Sequence, residues 1–175
     1  MTVIENEAHC IAPLTANDVF QHEQLASEIY QLLSDEHTLQ YLPSKKLTSL
    51  GEARIWLSTA ILNFYSGRNQ VHLIRSKSNG ALLGVLDLIP PAVAKEHYQL
   101  AHYPFFIEFY LKGNVRGKAL MTRLLSTVVK HLEGEGIGQL AAVVNRRNIP
   151  AAKVLKRSGF RLAGIFDQTQ DLYYY

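Results

Sequence analysis

The alternation of apolar and polar residues changes period along the first third of the chain and predicts one strand followed by two helices. The strand is predicted over Cys10–Leu14. Thr15-Ala-Asn-Asp is typical of a helix start, because the side chains of Thr15 and Asn17 can both accept a hydrogen bond from a helix N–H group. This helix is predicted to break at Leu39-Gln-Tyr-Leu-Pro43, and a second one to span Ser49–Tyr65.

In the middle third of the chain, the period of the apolar residues changes from that of helices to that of strands. Val71–Arg75 and Ala81–Ile89 flank Ser78-Asn79-Gly80, and Asn-Gly between two apolar runs predicts a β-hairpin. The stretch Ala92–Pro104 has no clear period and has room for a short helix. Phe105–Leu111 is a continuous apolar run with a single charge, which predicts a strand buried on both faces.

The last third of the chain has the clearest helical period. Apolar residues recur at helical spacing and predict a helix over Gly117–Glu133. Beyond it the pattern predicts a strand, a short helix and another strand, over Gln139–Val144, Asn148–Ser158 and Phe160–Phe166. The aromatic stretch Leu172–Tyr175 is typical of a last strand.

The order of these elements defines a fold class. It predicts a mixed α/β (α+β) fold in which one central sheet of about six to seven strands is flanked by about four helices. The strand–helix–strand unit from Phe105 to Val144 is expected to form a right-handed parallel crossover. With 175 residues, the chain is predicted to form a single domain over residues 1–175.

Composition narrows the class of protein. A 47% hydrophobic content excludes a disordered chain, and a single cysteine excludes a disulfide scaffold. No stretch approaches the ~20 apolar residues of a membrane span, and the start lacks the pattern of a secretory signal. Cys10 cannot form an internal disulfide, which favours a cytoplasmic protein. Cys10 itself is interpreted as a small core residue.

The formal net charge of +3 includes a concentration of basic residues late in the chain. Such a cluster suits a polyanionic ligand, either a nucleic acid or a phosphate-bearing cofactor. Solvated helix faces explain the same residues equally well. The cluster comprises Arg116, Lys118, Arg123, Arg146, Arg147, Lys153, Lys156, Arg157 and Arg161.

The segment from Leu111 to Thr122 leaves the predicted buried strand, crosses a turn with two glycines and enters the long helix. The first N–H groups of a helix lack internal partners, and the helix dipole favours an anion there. Gly117 and the small Ala119 let an anion approach, and neighbouring basic side chains add positive charge. An ordinary strand-to-helix turn is the alternative, since the segment matches neither the P-loop nor the dinucleotide fingerprint.

A second segment, from Asn148 to Phe160, strengthens the interpretation of the first as a phosphate-binding turn. Arg116-Gly117-Lys118-Ala119 resembles the Arg-Gly-x-Gly pyrophosphate-binding turn of the GNAT N-acetyltransferase superfamily. Asn148, Ala151 and Gly159-Phe160 are similar to the Asn-x-x-Ser/Ala helix of that superfamily, which ends in Gly-Phe. Arg-Gly-Lys-x-Leu-Met-Thr resembles in particular the branch of the ribosomal-protein N-terminal acetyltransferases.

The resemblance implies acetyl-CoA as co-substrate, with no metal. It places the pyrophosphate on the backbone amides from Arg116 through Lys118 to Leu120. The pantetheine arm would pair with the backbone of Tyr110 and Leu111, and Asn148 would hydrogen-bond that arm. The 3′-phosphate would meet a basic side chain, for which the resemblance leaves Lys118, Arg123, Arg146 and Arg147 as alternatives.

Three positions depart from the pattern of the family. Ala119 stands where Gly is usual, and Ala151 stands where the N-terminal acetyltransferases often have Ser. Leu155 occupies the place of a Tyr that protonates the departing thiolate in many members. Both familiar candidates for the general acid are therefore missing, and the acid stays unassigned.

Glu108 is the one ionisable residue in the strand that would line the acceptor site. A buried carboxylate is costly, so Glu108 is predicted to be the base or the amine-binding group, with a structural ion pair as the alternative. His97 and His102 can move protons near neutral pH, but their spacing does not suit a metal site.

The resemblance therefore predicts an enzyme that moves acetyl from acetyl-CoA directly to a primary amine of a protein N-terminus or a small molecule. A non-catalytic acyl-CoA-binding module is the first alternative, since the familiar acids are absent. A nucleic-acid-binding domain that uses the late basic cluster is the second, and nucleic acid is the less favoured partner. The expected partners are the amine acceptor and a second copy of the chain in a homodimer, with no membrane.

Overall fold

A computed structural model describes residues 2–175, apart from the side chain of Val19. Over this part of the chain it contains six α-helices and eight strands, so the predicted mixed α/β fold is confirmed, with one strand and two helices more than expected. The helices are α1 His22–Ser34, α2 Glu36–Leu39, α3 Leu50–Tyr65, α4 Pro91–His97, α5 Leu120–Gly134 and α6 Ile149–Arg157. The strands are β1 Ile4–Glu5, β2 His9–Pro13, β3 Gln70–Ser76, β4 Leu82–Ile89, β5 Phe105–Leu111, β6 Leu140–Asn145, β7 Arg161–Ile165 and β8 Gln170–Tyr174.

Backbone contacts divide the chain into two compact units. The N-terminal unit comprises Thr2–Asp87 and Phe109–Arg116, and the C-terminal unit comprises Leu88–Glu108 and Gly117–Tyr175. Strands β4 and β5 each contribute residues to both units. The single domain over residues 1–175 stays a prediction.

The N-terminal unit holds strands in the order β1-β2-β3-β4. Strand β2 pairs antiparallel with β3, with His9 opposite Ser76 and Pro13 opposite His72. The predicted hairpin between β3 and β4 is confirmed, and the N–H of Ser76 donates to the carbonyl of Ala81 across its turn at 3.0 Å.

Helices α1 and α3 pack in the core of the N-terminal unit. The prediction of α3 is confirmed, because Ser49 accepts a hydrogen bond from the N–H of Glu52 and caps its start. The prediction that Thr15 or Asn17 caps α1 is wrong. A 3₁₀ turn precedes α1, and the carboxylate of Asp18 accepts from the Thr15 N–H at 2.8 Å instead.

The break after α1 comes earlier than the sequence predicts. Helix α1 ends at Ser34, because Asp35 takes an extended conformation and caps the short α2 by accepting from the Thr38 N–H. An acidic residue that caps a new helix ends the old one more effectively than the distant Pro43. This early break places Thr38 beside the end of β5.

The C-terminal unit holds strands in the order β5-β6-β8-β7. Strands β5 and β6 pair in parallel, with Phe105 opposite Leu140, and α5 connects them as predicted. Strand β8 pairs antiparallel with both β6 and β7. The predicted apolar stripe of α5 is buried, and it consists of Leu120, Leu124, Val128 and Leu132.

Helix α5 begins at Leu120, whereas the apolar period predicts a start at Gly117. The reason is the backbone before it, because Gly117 has φ +74° and Ala119 has φ +53°. These left-handed conformations cannot belong to a right-handed helix. The turn is therefore longer than predicted, and its residues project from the start of the helix.

Candidate active site

The start of α5 has the properties of an anion-binding site. No side chain of the described residues caps this helix, and its first intrahelical bond runs from the Arg123 N–H to the Ala119 carbonyl. The N–H groups of Leu120 to Thr122 therefore have no intrahelical acceptor. The preceding residues, from Arg116 to Ala119, are exposed to solvent. The helix dipole and two basic side chains favour a negatively charged group at this turn.

Gly117 leaves open space at this turn. A Cβ atom at Gly117 would meet no heavy atom within 4 Å, so the backbone is accessible to a ligand. Ala119, in contrast, holds a left-handed conformation that strains an L-residue. The residue that departs from the Gly of the family pattern thus adopts a conformation that favours glycine.

The backbone of Tyr110 and Leu111 lies at the end of β5, where β4 approaches it closely. A Cβ atom at Gly84 would overlap the carbonyl oxygen of Tyr110 and lie 2.6 Å from Leu111 Cδ2. The N–H of Lys112 donates to the carbonyl of Leu83 at 2.9 Å. Only glycine at position 84 permits this approach, which fixes the path of the Tyr110–Leu111 backbone.

Thr38 contacts the same strand end. Its hydroxyl lies 2.6 Å from Asp35 Oδ2 and 3.1 Å from the carbonyl oxygen of Leu111, and Thr38 is 4% exposed. The hydrogen bonds from Thr38 hold the pKa of the Asp35 carboxyl below its usual range. Helix α2 is thereby attached to the end of β5. The sequence gives no signal for this contact, since the two residues are distant along the chain.

Asn148 caps helix α6. Its Oδ1 accepts a hydrogen bond from the Ala151 N–H at 3.2 Å, and this cap does not use the Nδ2 group. The side chain that the resemblance assigns to the cofactor arm is therefore held at a helix start. Leu155 lies further along α6 and is 0% exposed, so an apolar core residue occupies the position of the family's Tyr.

Glu108 is half-buried on β5, between the buried Ile107 and the half-buried Phe109. It belongs to the C-terminal unit, whereas Tyr110 and Leu111 belong to the N-terminal unit. Its role as the base stays a prediction.

The N-terminal unit contains a cavity of about 400 Å³, a size typical of ligand pockets. Tyr110 and Asp87 lie among its buried lining residues, and each is 5% exposed. Exposed residues of α3, including Glu52 and Ile55, form its rim. This cavity is a concave site that a small molecule or a chain terminus can enter.

Two acidic side chains and one basic side chain border this cavity. Asn69 Nδ2 donates to Asp87 Oδ2 at 3.0 Å, and Lys45 Nζ lies 5.7 Å from the centre of the Tyr110 ring. Hydrogen bonds from Thr48 hold the pKa of the Glu52 carboxyl below its usual range, so Glu52 is ionised at neutral pH.

Asp87 was not predicted from the sequence, although a signal was present. It is the single charge in the apolar run of β4, as Glu108 is in β5. The same reasoning that singled out Glu108 would have selected Asp87.

The other candidate residues lie elsewhere. His97 and His102 are exposed, and the described residues contain no group of three or more His, Cys, Asp or Glu that could hold a metal ion. Burial raises the pKa of the Cys10 thiol, which disfavours the reactive thiolate. Within residues 2–175, none of the helices has the length and apolar character that crossing a membrane requires.

The basic candidates for the 3′-phosphate differ in their contacts. The Arg146 guanidinium donates to Asp171 Oδ1 at 2.7 Å and to the carbonyl oxygens of Asp167, Gln168 and Gln170. These bonds hold the turn between β7 and β8, so Arg146 has a structural function. The side chains of Lys118 and Arg147 are exposed.

Comparison with known proteins identifies the family of this chain. Residues 13–161 match the model of the GNAT acetyltransferase domain. The chain belongs to the GNAT acetyltransferase family and is an acetyl-CoA-dependent transferase, so the resemblance in its two motifs is confirmed. Among curated proteins, none matches this sequence.

Solved structures share the fold. The microcin C7 self-immunity acetyltransferase, in complex with acetyl-CoA and AMP, has a TM-score of 0.75 at 16% identity, over 97% of this chain and 93% of that one. The ribosomal-protein-S5-alanine acetyltransferase from Vibrio fischeri has a TM-score of 0.74 at 14% identity, over 100% and 96%. Spermidine N-acetyltransferase from Vibrio cholerae, in complex with CoA and spermine, has a TM-score of 0.69 at 14% identity, over 97% and 94%.

Proposed function

We propose that this protein acetylates a primary amine, either at a protein N-terminus or on a small molecule, by direct transfer from acetyl-CoA. The observation that carries the proposal is the uncapped and exposed start of α5 behind Gly117 and Ala119. Such a helix start binds a phosphate group through backbone N–H groups. The names of the structural neighbours support amines of both kinds as acceptors of those proteins.

Each part of the cofactor site has a proposed function. The backbone from Arg116 to Leu120 binds the pyrophosphate, and the strand end at Tyr110 and Leu111 pairs with the pantetheine arm. Asn148 donates from Nδ2 while its Oδ1 caps α6. When bound, acetyl-CoA supplies an acyl group activated as a thioester. The open space at Gly117 fits this ligand.

The amine must lose a proton before or during the transfer, because a primary amine with a pKa near that of lysine is mostly charged at neutral pH. Glu108 is the proposed acceptor of this proton. N–H groups of the strand near Tyr110 stabilise negative charge that develops on the acyl oxygen. The general acid stays unassigned, since Ala151 and the buried Leu155 have no proton to give.

The same absence favours a second candidate function, a module that binds acyl-CoA without catalysis. In that case the buried Leu155 would mean that the protein has no general acid, rather than that another residue acts as the acid. The proposal includes a single domain that acts in the cytoplasm.

An assay of thiol release separates the two functions. The protein is mixed with acetyl-CoA and a panel of amines, namely hexylamine, spermidine and a peptide with a free N-terminal serine. Amine-dependent release of free thiol, together with a mass gain of one acetyl group on the amine, is the expected result. Binding of acetyl-CoA with no release for any amine would contradict the enzyme and support the module.

A further inference from the structure

The cavity of the N-terminal unit combines one face of α3 with the strands beneath it. Glu52, Trp56, Ala60 and Asn63 line it at helical spacing, so a single face of the helix forms one wall. Asp87 and Tyr110 are buried, whereas Glu52 is exposed. The cavity therefore has a buried acidic end and an exposed rim.

The charges around the cavity favour a cation. Asp87 and Glu52 carry carboxyl groups and Lys45 carries an amino group, so acidic side chains outnumber basic ones among the lining residues. Asn69 fixes Asp87 through its hydrogen bond to Oδ2, which pre-organises the carboxylate before a ligand enters. An ammonium group that reaches this carboxylate gains a charge-assisted hydrogen bond.

Part of the remaining wall is apolar. Leu47, Trp56 and Val71 line the cavity, and Trp56 presents an aromatic surface that attracts both apolar groups and cations. A ligand of this cavity thus needs an apolar body as well as a positive charge.

We propose that this cavity binds the acetyl acceptor, that the acceptor is a primary amine on an apolar body, and that Asp87 binds its ammonium group. The inference rests on the proposed function and specifies its substrate class. Tyr110 belongs to both proposed sites, because it lines the cavity and lies at the strand end that is proposed to pair with the pantetheine arm. Asp87 is a binding residue in this proposal.

Trp56 gives a direct readout, because it is the single tryptophan of the chain. Its fluorescence is followed while hexylamine, 1-hexanol or spermidine is added, with and without CoA. The proposal predicts saturable binding of hexylamine that is at least about tenfold tighter than that of 1-hexanol, since a hydrogen-bonded charge pair is worth this much. Hexylamine is also expected to bind more tightly than spermidine, because the further charges of spermidine would lie against apolar residues of the cavity. Equal affinity for hexylamine and 1-hexanol, or tighter binding of spermidine, would overturn it.

The Asp87→Asn variant tests the carboxylate itself. The substitution keeps the size of the side chain and an oxygen that can accept from Asn69, and only the charge is lost. Hexylamine affinity is expected to fall about tenfold while 1-hexanol affinity stays unchanged. Asp18→Asn is the matched control, because Asp18 caps the turn before α1 and does not line the cavity. An equal loss in both variants, or none in Asp87→Asn, would overturn the proposal.

The outcomes also separate this inference from the proposed function. If the wild type binds hexylamine through Asp87 but acetylates no amine, the proposed function is wrong and the proposed amine site is supported. If it acetylates amines while Asp87→Asn leaves both the KM for hexylamine and the fluorescence titration unchanged, the transfer stands and the site assignment fails.

Discussion

The hydroxyl of Thr38 donates a hydrogen bond towards the carbonyl oxygen of Leu111 at 3.1 Å and towards Asp35 Oδ2 at 2.6 Å. One hydroxyl hydrogen thus has two acceptors, one on the loop after α1 and one at the end of β5. This buried contact holds the strand end that precedes the Arg116–Leu120 turn. The position of the proposed cofactor strand therefore depends on a residue from another part of the chain.

Replacing Thr38 by Val keeps the shape of the side chain and removes the hydroxyl. We expect the free energy of unfolding to fall by about 1 to 3 kcal/mol, because a buried carbonyl loses its donor. Denaturant titration measures this change. Thr38→Ser retains the hydroxyl and serves as the control, so equal losses in the Val and Ser variants would point to packing and contradict the account.

Asp35 gives a prediction for acid stability. Its pKa is lowered in the folded protein, mainly by the hydrogen bond from the Thr38 side chain. The stabilisation is thus complete above the unfolded pKa of about 3.9 and is lost as the pH falls through the lower folded value.

We expect Asp35→Asn to be less stable than the wild type at about pH 6, with the difference shrinking in the acid range. Chemical denaturation at a series of pH values tests this. A difference that is independent of pH would show that the charge of Asp35 has no part in the stabilisation.

Ala119 carries strain at the start of α5, because its φ of +53° is left-handed. Ala119→Gly should raise the free energy of unfolding by up to about 1 kcal/mol, since glycine adopts this conformation without penalty. Ala152→Gly within α6 is the matched control and should lower it by about 1 kcal/mol, as glycine does in a helix. Thermal or denaturant unfolding measures the change in the free energy of unfolding of each variant. A loss of stability in Ala119→Gly would show that Ala119 is not strained.

Glu108→Gln tests the proposed base. The substitution keeps the size of the side chain and removes its capacity to accept a proton, so we expect kcat to fall by about 100-fold or more while acetyl-CoA affinity stays unchanged. Steady-state kinetics and calorimetry give the two quantities. Equal losses of turnover and of cofactor affinity would indicate a structural role for Glu108.

Much of the fold follows from the sequence, because local pattern decides it. The hairpin around Asn79 was predictable from its Asn-Gly pair, and helix α3 was predictable from the helical spacing of its apolar residues. The starts of α1 and α5 were not, because Asp18 reaches back to Thr15 and because Ala119 adopts a conformation that alanine rarely takes.

The candidate site was predictable only in part. The turn at Gly117 and the cap at Asn148 stand in recognisable motifs, and both lie at helix starts in the structure. The Thr38–Leu111 contact and the cavity at Asp87 depend on tertiary packing, which brings together residues that no local pattern relates.

The central claim is that the turn at Gly117 binds acetyl-CoA, and calorimetric titration of acetyl-CoA tests it. The wild type is compared with Gly117→Glu and Gly117→Ala, since both variants impose an L-residue at φ +74° but only Glu adds bulk and negative charge. We predict binding to the wild type, retained binding to Gly117→Ala and no detectable binding to Gly117→Glu. Equal affinity of the two variants, or no binding to the wild type, would contradict the account.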